Sequence, residues 1–149
     1  MVLRTDVGSM YDSILLPTDG SEGSERARDE AIELASDQGA TLHVVHVVDV
    51  VSPARSLHEV IAERMTERGR ELVDAVAVRA RDRGVSVETA VVEGDPAARI
   101  VEYVSEAGVD VVVMPTHGRP ELAKTIVGSV TDKVIRTSPV PVIVVRLNE

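Results

Sequence analysis

A chain of 149 residues has room for one well-formed core, and its apolar residues are spread too evenly to mark a second. The absence of cysteine excludes disulfides, thiolate nucleophiles and zinc-thiolate sites, leaving four histidines as the strong nitrogen ligands. A net charge of −9, with Tyr11 and Tyr103 as the sole aromatic residues, removes the clustered cations and stacking rings that general nucleic-acid binding needs.

Short runs rich in Val and Ile alternate with longer amphipathic stretches, the pattern of βαβ units wound around a parallel sheet. Residues 1–10 carry no period and are expected to form a disordered tail before a single domain over residues 11–149. Ser13 to Leu16 predicts the first strand, and Pro17-Thr18-Asp19-Gly20 a turn after it. The first helix is expected to start near Ser21 to Ser24, bury Ala27, Ala31, Leu34 and Ala35, and stop at Gly39. Leu42 to Val48 reads as the second strand. Leu57, Ile61, Met65, Leu72 and Val76 recur at steps of four or seven, which predicts one apolar stripe on a long second helix ended by Gly84. Val85 to Val92 follows as the third strand. Asp95-Pro96 supplies a cap and a first-turn proline for a third helix, which buries Ile100 and Val104 before Gly108. Val109 to Met114 is the fourth strand. A fourth helix runs from Ser129 to about Thr137, with Ser129 and Asp132 spaced as a capping pair, and Val142 to Val145 closes the set.

Right-handed crossovers between parallel strands leave few sheet orders for this pattern. The common Rossmann-like arrangement is 3-2-1-4-5, five parallel strands with four helices on both faces, and ligands bind it where the order reverses. That rule brings Pro17-Thr18-Asp19-Gly20 opposite Pro115-Thr116-His117-Gly118, with Gly128-Ser129 as the third side of a crevice. No stretch approaches the roughly 18 apolar residues of a membrane span, and no signal-peptide pattern opens the chain, so a soluble cytoplasmic protein is expected. The acidic surplus, with Lys124 and Lys133 the only lysines, points to a salt-adapted, halophilic source; a GC-rich genome favouring Arg codons is the alternative.

These residues resemble the universal stress protein superfamily from Tyr11 to Arg146. Its nucleotide-binding branch, related to the adenine nucleotide alpha hydrolases, carries Gly, two residues, Gly, nine residues, Gly and then Ser or Thr. Pro115, Thr116-His117, Gly118, residues 119–127, Gly128 and Ser129 match three of those four fixed positions. Leu16-Pro17-Thr18-Asp19-Gly20-Ser21, His46-Val47-Val48-Asp49, Gly94-Asp95-Pro96-Ala97 and Ser138-Pro139-Val140-Pro141-Val142 also look like the family. The resemblance implies an ATP site, occupied with or without Mg2+ or Mn2+. Asp19 and the backbone near Val47 would hold the adenosine, and Gly118, Gly128, Ser129 and Val130 the phosphates. Pro17, Thr18, Met114, Thr116, His117, Arg119 and Thr131 complete the expected lining, with Arg119 and Lys124 as mobile cations for the outer phosphates. The resemblance further suggests a homodimer in which the strand Val142–Val145 pairs with its symmetry mate and hides an apolar edge.

Pro115 departs from the pattern, since proline has no N–H to offer a phosphate and its φ is locked near −65°. Two readings stay open: the loop still binds ATP, or the chain is an adaptor of the same fold that binds no nucleotide. A slow ATP hydrolase is a third and would need a metal near Asp19. No catalytic and no metal-ligating residue is assigned, and a stress-response signalling module is expected rather than an enzyme. His117 has no carboxylate partner nearby in sequence to make it a base. His43 and His46 stand three apart on a strand, face opposite sides of the sheet and cannot share a metal. His58, beside Glu59, is expected on the solvated surface.

Overall fold

The computed structural model describes residues 10–50, 55–116 and 128–146. In chain order they form β1 (Ser13–Pro17), α1 (Glu22–Gln38), β2 (Thr41–Val48), α2 (Arg55–Asp82) and β3 (Val87–Glu93). Then come α3 (Pro96–Ala107), β4 (Val111–Pro115), α4 (Ser129–Thr137) and β5 (Val142–Val145). All strand pairs are parallel and the sheet order is β3-β2-β1-β4-β5, as expected.

Alternation along each strand splits the core into two layers. Ile14, Leu16, Leu42, Val44, Val111 and Val113 face α1 and α2, meeting Ala27, Ala31, Ile32, Ala35, Val73, Val76 and Ala80. Leu15, Val45, Val112 and Met114 face the other way, onto Ala97, Ile100 and Val104 of α3 and Val134 of α4. The small alanines of α1 let that helix lie close to β1 and β4. Asp110 fastens the start of the two central strands, its Oδ2 accepting from the amides of Asp12 at 2.8 Å and Ser13 at 3.0 Å. No described helix is long and apolar enough to cross a membrane.

The structure moves several expected boundaries. β3 starts at Val87 rather than Val85, and β4 at Val111 rather than Val109. Val85 and Val109 are buried all the same, and their amides bond back to Ala80 at 3.0 Å and Val104 at 3.1 Å. Each belongs to a Schellman-type cap, where a left-handed glycine (Gly84 or Gly108) lets the next apolar residue fold back onto its helix. On α1 the buried set includes Ile32, while Leu34 is half-buried against the core. The expected stripe on α2 holds at Val76 alone: Leu57 is exposed, Ile61, Met65 and Leu72 are half-buried, and Val73, Ala77 and Ala80 complete the buried face. α4 is capped by Gly128, with Ser129 as its first residue, so Ser129 is not the cap its spacing suggests. Residues 1–9 lie outside the described residues, whereas the Met10 and Tyr11 amides are both tied to Gln38 Oε1.

Candidate functional site

The two central strands part at their C-terminal ends, and the ladder explains why. β1 and β4 are paired at Ile14–Val111 and Leu15–Val112 and no further. Parallel strands turn successive backbone groups alternately to one neighbour and the other. Thr18 N–H donates to Val45 O and Thr116 N–H to Val145 O, so Thr18 looks to β2 and Thr116 to β5. Pro17 and Pro115, one position earlier, therefore turn their nitrogens toward each other across the β1–β4 gap. Neither has a hydrogen to donate, the ladder lapses, and a crevice opens.

That crevice has a volume of about 490 Å³, within the size range of small-molecule and cofactor pockets. Of the residues that the sequence reading named for the site, Pro17, Thr18, Asp19, Val47, Met114, Gly128, Ser129, Val130 and Thr131 line it. Thr116 does not. It is buried beneath, where its carbonyl accepts the Gly128 amide and its own amide completes the β4–β5 ladder. His117, Gly118 and Arg119, with Lys124, lie outside the described residues.

Three helix N-termini, those of α1, α3 and α4, reach the crevice because every helix of a parallel sheet starts at the C-terminal end of a strand. Two are closed by side chains: Ser21 Oγ accepts from the Ser24 amide at 3.3 Å, and an Asp95 carboxylate oxygen from the Ala98 amide at 3.0 Å. α4 is different. Gly128 carries no side chain to cap it, so among the described residues the first amides of α4 have no side-chain acceptor at the positive end of the helix dipole. Thr131 fixes this helix against β4 through its hydroxyl, which donates to Pro115 O at 2.9 Å.

Opposite α4, Asp19 is exposed, and one of its oxygens accepts from the Ser21 amide at 2.9 Å, which sets the turn. Gly20 completes that turn at φ +79, a conformation that disfavours a side chain, with Leu72 of α2 packed on it. β2 runs on past the end of β1, and its alternation turns the Val47 amide and carbonyl into the gap. Val45 and Ile100 supply apolar wall. These two, with Ser21, Ser24 and Pro96, also line the crevice although the sequence reading had not included them, and Pro115 lines it on the side where the strand order had set it. The signal was present in the topology: α1 and α3 had to begin at this end of the sheet.

Three of the histidines lie among the described residues. His43 is buried toward α3, its Nδ1 2.8 Å from the Tyr103 hydroxyl with the rings edge to face. Burial holds its pKa below the usual histidine value, which the nearby Glu88 carboxylate partly offsets. Burial and Glu88 together push Tyr103 above the usual phenol value. His46 lies on the opposite face, and its Nδ1 donates to Thr18 O at 2.8 Å. His58 is half-exposed as expected, but it is paired with Glu93 at 2.8 Å rather than simply solvated. Among the described residues no three His, Asp or Glu side chains are grouped to hold a metal.

The universal stress protein family matches the chain over residues 10–146. Universal stress protein MJ0531 of Methanocaldococcus jannaschii is 37% identical over 142 residues, covering 93% of this chain and 84% of that protein. The structure of MJ0577 from the same organism superimposes with a TM-score of 0.83 at 29% identity, covering 94% of this chain and 99% of that one. A universal stress protein solved in complex with cAMP superimposes with a TM-score of 0.66 at 26% identity, covering 94% and 100% of the two chains. A family match over nearly the whole chain, a relative 37% identical over 93% of it and close superposition on a solved member lead to one conclusion: the chain belongs to the universal stress protein family.

Proposed function

We propose that the crevice binds an adenine nucleotide, ATP in the first instance, and that the protein is a dimeric stress-response signalling module of the cytoplasm rather than a catalyst. The observation that carries this reading is the α4 N-terminus, uncapped and facing Asp19 across a nucleotide-sized gap. Its first amides, without a side-chain acceptor among the described residues, and its dipole suit phosphates, and Asp19 suits ribose hydroxyls. Val47 offers both a donor and an acceptor to the edge of a base, and Val45, Met114 and Ile100 give aliphatic faces in place of aromatic stacking. A divalent ion, Mg2+ or Mn2+, would ride on the phosphates, with Asp19 as the nearest carboxylate. The solved relative that holds cAMP supports the ligand class.

Pro115 favours the second reading, an adaptor of the same fold that binds no nucleotide, because its ring lines the crevice where an N–H would serve a phosphate. The experiment that separates the two is direct. Purified protein is denatured and assayed for released adenine nucleotide, then refolded protein is titrated with ATP with and without Mg2+ or Mn2+. Binding is expected, weakened about fivefold in Ser129→Ala, which deletes a hydroxyl at the helix start, and tightened in Pro115→Gly, which supplies the missing amide. No binding at millimolar ATP leaves the adaptor reading.

A further inference from the structure

His46 belongs to none of the roles assigned so far, yet its ring is bonded to Thr18, which lines the crevice. The β1–β2 ladder runs regularly through Pro17–Val45, with Thr18 N–H donating to Val45 O at 2.9 Å. Continued by one step, a parallel ladder would have Thr18 O accept from the Val47 amide. It does not. The Thr18 carbonyl accepts from His46 Nδ1 at 2.8 Å instead, leaving the sheet to meet an imidazole on the α2 side. The Val47 amide has no partner of its own among the described residues, and Val47 lines the crevice. Two neighbours make the diversion possible. Gly69 of α2 gives the ring its room, because a Cβ there would fall inside contact distance of the imidazole Cδ2, with Val91 crowding the same spot. Thr18 is itself pinned by its hydroxyl, which donates to Ser24 Oγ at 3.3 Å.

We propose that His46 is a positioning residue: by taking the Thr18 carbonyl, it stops the β1–β2 ladder one bond short and keeps the Val47 amide open as a donor for the ligand. A carbonyl only accepts, so Nδ1 carries the hydrogen and the tautomer is fixed by this one bond. The inference deepens the nucleotide reading by naming what holds the base-recognition edge in place, and it rests on that reading for the identity of the ligand.

The test uses two substitutions that differ in one donor. An Asn side chain places its amide nitrogen where the imidazole Nδ1 lies, whereas Leu fills the space without a donor. In His46→Leu the Thr18 carbonyl is expected to return to the Val47 amide, and ATP binding to weaken about tenfold. His46→Asn is expected to stay within about threefold of wild type, and Gly69→Ala, which displaces the ring, to resemble His46→Leu. A second readout needs no ligand. Amide exchange by NMR in the empty protein is expected to show Val47 unprotected in wild type and His46→Asn, but protected like Val45 in His46→Leu. Val47 exchanging equally in all three proteins, or His46→Asn losing as much affinity as His46→Leu, would overturn the proposal. Wild-type protein that binds no adenine nucleotide would instead remove the functional reading, and the exchange result would still decide the role of His46.

Discussion

His43 carries a proton-linked cost that its surroundings make readable. In the unfolded chain it takes up a proton near pH 6.5, while the folded protein, burying it beside Tyr103 and Leu15, resists that proton to a lower pH. Below about 6.5 the unfolded state therefore binds more protons, and stability falls as pH drops from there toward the lowered folded value. Tyr103 acts at the other end. Its raised folded pKa means that above about pH 10 the unfolded chain releases a proton the folded state keeps, and stability falls again as pH rises. The pair contributes fully only between those limits. Thermal melts from pH 5 to 8 are expected to show wild type losing more stability below pH 6.5 than His43→Leu does; parallel curves would remove the assignment. None of this pairing was visible in sequence, because His43 and Tyr103 are 60 residues apart. Pro17 and Pro115 teach the same lesson. Both were read as residues just past their strands and set opposite one another by the strand order; the structure makes each the last residue of its strand, and the lapse of the ladder between them depends on a register that sequence does not give.

Among the elements, α4 has exchanged stability for an open end. Gly128 sits at φ −61 and ψ 157, a conformation any residue adopts, so glycine is not needed there for the backbone. Gly128→Asp is expected to cap the helix, stabilise the empty protein by about 1 kcal/mol and raise its melting temperature by about 3 °C. The same carboxylate would occupy the proposed phosphate position, so ATP affinity is expected to fall at least tenfold in isothermal titration. Unchanged affinity would place the phosphates elsewhere. The motif marked this end as a candidate phosphate site, while the spacing of Ser129 and Asp132 named Ser129 as the cap that the structure assigns to Gly128. α2 shows where periodicity stops informing. At ~1.5 Å per residue its 28 residues span about 42 Å, whereas the eight residues of β2 cover roughly 26 Å. A helix longer than the sheet must overhang it, so the apolar repeat at Leu57, Ile61 and Met65 continues where no strand lies beneath. The pattern reports one face but not the length of what that face meets.

For the molecule as a whole, β5 is an edge strand. Its ladder to β4 uses Pro141 and Val145 carbonyls, which turns the backbone of Val142 and Val144 outward. A homodimer closed by pairing this edge is expected to sediment at twice the chain mass. Val144→Pro deletes one outward donor without touching the β4 ladder, and is expected to give a folded monomer. Wild-type protein sedimenting as a monomer would dispose of the dimer. The sheet order was legible because all-parallel topologies are few, and it has a further consequence for how the protein is made. β1 sits at the centre of the sheet, yet one of its neighbours, β4, begins 98 residues later. At about 5–20 residues per second, the ribosome delivers Val111 some 5–20 s after Ser13. Throughout that interval the apolar run Ile14-Leu15-Leu16 has one side without a partner. The N-terminal half is thus no independent folding unit, and chains stalled before residue 111 are expected to be the aggregation-prone species during synthesis.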